Sequence, residues 1–335
     1  MGQSMTADYR LFGAETSPYS IKVRAFMRYK GLAFDWVTRN KETEAEFTAL
    51  CKVPSVPLLV SAQYGANQDS TSILALIEAE HAEPSAVPDD RACAVLALIL
   101  EDYADEWLNK LMFFYRWGQK PDRELAGERT MEQLLLGELP RAVKKTRDQI
   151  VKRMRDRLSL VGIERKNEKL LKPSFQRLFT LLNAHLEKHL FMFGGRPSSA
   201  DFALAGQVTQ LLMDPTPGDW LREQAPFVTA WCEFMDAPKA DGPFKPLSEL
   251  EDTLLPIFRD EVAVTYMPWA HANMEAAESN AERVSVALDG KAYEQVTQHY
   301  AARAYKSLLK AVNALRDAPG LADFLEHAGA KPHLG

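Results

Sequence analysis

The sequence predicts a chain in three parts: a small α/β unit on a mixed sheet, an all-helical unit, and a short α+β unit at the C-terminal end. Three observations predict it. Over the first eighty or so residues, short strand-like runs alternate with helical periodicity. From Asp90 to Met235 the periodicity is helical throughout. Beyond Pro243 a helical stretch gives way to two alternating runs on either side of Asp289-Gly290, a two-residue hairpin signal. A chain of 335 residues exceeds a common single-domain size, and the expected boundaries are 6–82, 89–240 and 243–335.

Tyr9 to Gly13 reads as the first strand. Pro18 opens a helix carrying Ile21, Val23, Phe26 and Met27, and Gly31 closes it. Leu32 to Val37 is a second strand and Lys41 to Leu50 a weaker helix. Pro57 opens the apolar run Leu58-Leu59-Val60, and Gln63 to Asn67, with Gly65, is its return arm. A third helix follows from Ser70 to His81. Ala82 to Asp90, with two prolines and three acids, is a linker. Helices are then expected over Asp90 to Trp117, Glu124 to Leu160 with a break at Pro140, Phe175 to Leu190, Ser199 to Met213, and Pro226 to Met235. In the tail, Leu247, Leu250, Leu254, Phe258 and Val262 keep helical spacing, interrupted by Pro256 and ended near Pro268. Val284, Val286 and Leu288 alternate into the turn, Lys291 to Thr297 returns, and a last helix from His299 to Arg316 buries Tyr305, Leu308, Leu309 and Val312.

The composition, 46% hydrophobic and 26% charged with net charge −6, is that of a globular protein. Forty basic against 46 acidic residues leave no global field for a polyanion, so nucleic acid is not an expected partner. Arg141 to Lys172 is rich in Lys and Arg, but Asp148, Asp156, Glu164 and Glu168 interleave with them, the pattern of a solvated, ion-paired face. Cys51, Cys93 and Cys232 have no C-x-x-C spacing, which excludes a disulfide framework and a thiolate zinc cluster. His185 and His189 have the i, i+4 spacing of a metal pair without a third ligand, and no metal is expected. No run is long and apolar enough to span a bilayer, and Met1 to Arg10 lacks the organisation of a signal peptide. Gly2 fits a myristoylation pattern, yet no second anchor accompanies it. The expectation is a cytoplasmic protein with no membrane partner.

Three short motifs sit where strands meet helices. Ser17-Pro18-Tyr19-Ser20 starts the first helix, whose unpaired N–H groups and dipole favour an anion; an N-cap serine before proline also needs no function. Val53-Pro54-Ser55-Val56-Pro57 precedes a strand, in a turn that a cis bond can make. Gln68-Asp69-Ser70 starts the third helix, where a carboxylate could take free N–H groups while Asp69 pairs with an amine, or where Asp69 is a cap alone.

Together these segments resemble the thioredoxin-like domain of cytosolic glutathione transferases, of the serine-type tau and theta-like classes. Ser17-Pro18-Tyr19-Ser20-Ile21-Lys22-Val23-Arg24 resembles their Ser-Pro-Phe-Ser-x-Arg-Val-Arg start, Val56-Pro57-Leu58-Leu59 their cis-proline strand, and Asp69-Ser70 their Glu-Ser pair. Ser198-Ser199-Ala200-Asp201 resembles the family's Ser-x-x-Asp box at the start of a buried helix, which is structural. The likeness runs from about Tyr9 to Ala237, and the segment after Pro243 departs from it. The resemblance therefore implies a thioredoxin-like α/β N-terminal domain plus an all-α domain, followed by a small α+β extension.

The resemblance implies glutathione as co-substrate, its cysteinyl backbone paired to Val56 ahead of a cis Pro57. Its γ-glutamyl carboxylate then lies at Ser70, its amine near Asp69 and its sulfur near Ser17. Ser20 and Tyr19 are the reserve donors to that sulfur. Family members place a lysine before the Val/Ile-Pro pair; Ser55 stands there, leaving Lys41 or Lys52 to meet the glycine carboxylate. A thiol of pKa about 8.5 needs roughly 2.7 kcal/mol of differential stabilisation to become mostly thiolate near neutrality. One hydroxyl contributes about 1.5–3 kcal/mol and a helix terminus up to about 2 more. Serine cannot form a mixed disulfide, so conjugation or thiolysis of a small apolar electrophile is favoured over disulfide reduction. Tyr103, Trp107, Leu111 and Phe114 form a stripe that either lines the acceptor pocket or packs in the core. A homodimer is implied. The other reading is a non-catalytic binding module on the same scaffold, with the extension covering the cleft or widening an interface.

Overall fold

The computed structural model describes residues 8–137 and 143–334; Gly2 and the break at Pro140 lie outside them. Strands β1 (Tyr9–Gly13), β2 (Phe34–Thr38), β3 (Leu58–Ser61) and β4 (Gly65–Gln68) form one sheet in the order β2-β1-β3-β4. β1 runs parallel to β2 and antiparallel to β3, which pairs antiparallel with β4. Strand alternation sends Leu11 and Leu59 into the main core, while Phe12 and Leu58 meet Phe47 of helix α2 (Glu44–Leu50) on the opposite face. Helices α1 (Pro18–Tyr29) and α3 (Ser70–Glu80) cover the core face. This is the thioredoxin-like α/β architecture, followed by helices.

The helical part comprises α4 (Arg91–Tyr103), α5 (Asn109–Gly118), α6 (Lys120–Leu134), α7 (Val143–Arg155), α8 (Glu168–Leu186), α9 (Ser199–Leu212), α10 (Pro215–Gln224) and α11 (Pro226–Phe234). Between α4 and α5 the helix widens to the π form over Ala104–Leu108. Ser198 and Asp201 make the expected capping box at the start of α9. Gly206 in α9 lets that helix close onto the N-terminus of α1, because a Cβ there would collide with the Pro18 carbonyl oxygen. The short helix α10 has too few apolar positions to carry a period and escaped the sequence reading.

After residue 246 come α12 (Leu247–Ile257), α13 (Met267–Glu278), the antiparallel hairpin β5 (Arg283–Leu288) and β6 (Lys291–Val296), α14 (His299–Ala314) and α15 (Leu321–His327). Asp289 and Gly290 both have positive φ, as the hairpin turn requires. One expectation is corrected here. Neither Pro256 nor Pro268 ends the helix: it continues in the π form over Phe258–Tyr266, and Pro268 stands in the first turn of α13, where a missing N–H is tolerated. α15 was also missed. Side chains from all three parts join one continuous apolar core, from Tyr9 to Leu334.

Candidate functional site

The chain leading into α1 is held by the helical part. Arg116, in a buried ion pair with Asp214 (2.7 Å), donates to the Thr16 carbonyl (3.3 Å), and Gln210 donates to the Glu15 carbonyl (2.9 Å). Ser17 then caps α1 by accepting the Ser20 N–H at 3.3 Å. The Val56–Pro57 peptide is cis. Gln68 clamps the preceding loop to β4: its side-chain oxygen accepts the N–H groups of Lys52 and Val53, and its amide donates to the carbonyls of Val53 and Ser55. Asp69 sits at φ 78, a region that L residues rarely adopt, and its carboxylate accepts the Ser72 N–H at 2.9 Å as the cap of α3.

These features converge on a cavity of about 870 Å³. Tyr19, Lys52, Val56, Pro57, Asp69 and Ser70 line it, so six of the residues named from sequence share one wall. Ser17 and Lys41 are outside its lining, and Ser17 is half-buried beside it. Tyr19 donates its hydroxyl to the Asp105 carbonyl (2.8 Å), and burial raises its pKa far above the ordinary phenol value. Ser20 is corrected: it is fully buried in α1, with a hydroxyl that meets no partner in the protein and no face on the cavity.

The stripe on α4 and α5 takes the second of its two alternatives and does not line the pocket. Tyr103, Trp107, Leu111 and Phe114 are core residues, none of them lining the cavity. The extension covers the first two: Tyr266 packs edge-on against Tyr103 with ring centres 5.7 Å apart, and the rings of Trp269 and Tyr293 are each centred 5.8 Å from that of Trp107. Tyr103 donates to Glu261 (3.2 Å) and Trp107 to Ser174 (3.2 Å), satisfying the polar tips.

What faces the cavity from this helix is the neighbouring stripe, Leu98, Glu101, Asp102, Asp105 and Glu106. Its i, i+3, i+4, i+7, i+8 spacing puts four acids on one side of an otherwise apolar helix, a signal the sequence carried and the reading above did not use. Lys22 answers two of them. Its ammonium, fully buried, lies 2.7 Å from Glu101 and 2.6 Å from Asp105 and donates to Thr71 at 3.1 Å, tying α1, α3 and α4 together. Burial opposes the charge on Lys22, but the two carboxylates outweigh it and its pKa is raised. Tyr266 donates to Asp102.

Burial and the crowding of carboxylates lift Asp102 to about 7, Asp105 to about 6 and Glu106 to about 8. Burial also lowers Lys110, four residues after Glu106, to about 7. Near neutrality Glu106, and in part Asp102, therefore keep their protons, so these two add less negative charge to the cavity than two free carboxylates would. No group of His, Cys, Asp and Glu among the described residues is arranged to hold a metal ion, and no helix among them is long and apolar enough to cross a membrane.

The third wall is α14. Ala301, Tyr305, Leu308 and Val312 face the core at i, i+4, i+7, i+11; the stripe Tyr300, Ala304, Ser307 and Ala311 is rotated from it by about 100° and borders the cavity, together with Arg303. Tyr300 donates its hydroxyl to the Asp69 carboxylate. Tyr300, Arg303, Ala304, Ser307 and Ala311 were not named from sequence, because nothing local tells which element a helix will cover.

Residues 11–85 match the N-terminal domain of glutathione S-transferase, and residues 162–234 match its C-terminal domain. No curated protein matches the chain. Similar solved structures include the beta-etherase LigF from Sphingobium sp. strain SYK-6, 18% identical over 69% of this chain and 95% of that one, with a TM-score of 0.49. A glutathione S-transferase from Methylobacterium radiotolerans in complex with glutathione sulfonate is 20% identical over 71% and 98%, with a TM-score of 0.43. The tau class glutathione S-transferase from mango, Mangifera indica, is 18% identical over 69% and 89%, with a TM-score of 0.42. The segment after residue 234 lies beyond both matched domains. With the two domains of that family present in their order along the sequence, the chain belongs to the glutathione S-transferase superfamily.

Proposed function

We propose that the protein is a glutathione transferase of the serine type, which binds glutathione in the cavity between the sheet edge, α4 and α14 and uses its thiolate on a small apolar electrophile. The observation that carries this reading is the shared wall: the loop before β3, the N-terminus of α3 and Tyr19 border the same cavity. In this reading the tripeptide runs antiparallel past Val56 and its γ-glutamyl carboxylate takes the free N–H groups at Ser70 and Thr71. The amine meets Asp69, and Lys52, which lines the cavity, takes the glycine carboxylate in preference to Lys41, which does not. Ser17 donates to the thiolate, assisted by the N-terminus of α1. Val53, Val56, Leu98 and Leu308 supply an apolar surface for the acceptor. The reading includes a cytoplasmic homodimer and the domain boundaries at 82–89 and 240–243.

Ultraviolet absorbance of the bound thiolate against pH tests it. Bound glutathione titrates about one to two units below the free thiol in the wild type. Ser17→Ala lowers turnover by about tenfold to a hundredfold, the worth of one charge-assisted hydrogen bond, with glutathione affinity within about twofold. Unchanged turnover in that variant refutes the role of Ser17.

A second reading is favoured by one contact. Tyr300 of the extension already holds the Asp69 carboxylate, as it would in a non-catalytic module whose cleft the chain itself covers. The same titration separates the two: absence of bound glutathione in the wild type selects the module.

A further inference from the structure

The extension contributes a cation to this cavity as well as a wall. Arg303 borders the cavity, is exposed, and has no carboxylate partner among the described residues. Its guanidinium lies 5.8 Å from the centre of the Tyr300 ring. Tyr300 in turn holds Asp69, the cap of α3, and the first-turn residues Ser70 and Thr71 of that eleven-residue helix line the same cavity as Arg303. Asp69 takes the Ser72 N–H, and Ser70 and Thr71, whose N–H groups have no partner within the helix, line the cavity. Charge argues in the same direction. The lining holds Asp69, Glu101, Asp102, Asp105 and Glu106, and Lys22 is fully engaged with two of them. An entering carboxylate meets net repulsion unless a cation receives it, and Lys52 and Arg303 are the lining cations without a carboxylate partner among the described residues. Lys52 stands on the loop that Gln68 clamps, and Arg303 on α14.

We propose that Arg303 is a ligand-binding residue of this site and pairs with the α-carboxylate at the γ-glutamyl end of the bound tripeptide, opposite the amides of Ser70 and Thr71. A planar guanidinium suits a carboxylate held on its other side by a helix terminus. The extension then completes the peptide site, and the two matched domains alone lack one of its charges. The inference rests on the glutathione reading above.

Isothermal titration calorimetry with two peptides tests it. The probes are glutathione and γ-aminobutyryl-cysteinylglycine, the same peptide without that carboxylate. Arg303→Gln weakens glutathione by about tenfold and leaves the analogue within twofold, since only glutathione carries the paired group. Arg303→Lys recovers part of the loss. Lys306→Gln, an exposed cation on the same helix that pairs with Glu278, changes neither affinity and controls for the charge of the helix. Glutathione affinity unchanged in Arg303→Gln overturns the inference and leaves the glutathione reading standing. Equal weakening of both peptides also overturns it, as a packing effect. A wild type that binds neither peptide refutes both readings together.

Discussion

The hydroxyl of Tyr300 donates to the carboxylate of Asp69, joining residues 231 positions apart and fastening the extension to the cap of α3. Asp69 thereby has both oxygens engaged, one by Tyr300 and one by the Ser72 N–H. Any ligand amine that pairs with Asp69 competes with that phenol. Tyr300→Phe removes the competitor and keeps the ring under Arg303, so glutathione affinity should rise by about threefold to tenfold in titration calorimetry. A fall in affinity would mean that the phenol helps to hold the ligand.

Lys22 stands between two buried carboxylates, and removing a partner from such a group leaves charge uncompensated. Lys22→Met should lower stability by about 3–5 kcal/mol at pH 8, measured by urea denaturation. The loss should be smaller at pH 5, where the orphaned Asp105, raised to about 6 by burial even with Lys22 in place, takes a proton in the folded state. Equal losses at the two pH values would show that the triad carries little charge.

Glu106 titrates at about 8 in the folded protein against an ordinary 4.5, because burial and then Asp102 and Asp105 disfavour its charge. Between those two values the folded chain keeps a proton that the unfolded chain has released, so this group's contribution to stability falls as pH rises through that window. Glu106→Gln mimics the protonated form. It should raise the melting temperature at pH 8.5 by roughly 2–4 °C or more relative to wild type, and the gain should shrink toward pH 5. A gain that does not vary with pH would place its cause outside the ionisation.

A chain truncated after residue 242 loses Tyr266, Trp269 and Tyr293, which cover Tyr103 and Trp107. Uncovering aromatic faces of roughly 100–200 Å² costs about 2.5–5 kcal/mol, a large part of an ordinary domain's stability. The truncated protein should be insoluble or should bind a hydrophobic dye strongly, as monitored by size-exclusion chromatography and dye fluorescence. A soluble, cooperative truncated chain would show that the first two units close their own core.

Much of the site was legible because its parts obey short-range rules. Ser17 before Pro18 marks a cap, Asp69-Ser70 marks another, Ser198 with Asp201 makes a box, and Asp289-Gly290 makes a turn; each depends on a few neighbouring backbone groups. Periodicity likewise identified α4 and α14 as helices with a buried stripe.

What covers each stripe could not be read this way. Amphipathic spacing states that Tyr103, Trp107 and Leu111 leave water, but a pocket wall and a core wall have the same period, and the choice belongs to whichever distant segment packs there. The sequence by itself determined the local elements, the caps and the family likeness. Only the tertiary structure decided that the extension takes the aromatic stripe into the core, turns the acid stripe toward the cavity and brings Tyr300 to Asp69, because such contacts depend on the summed packing of segments some two hundred residues apart.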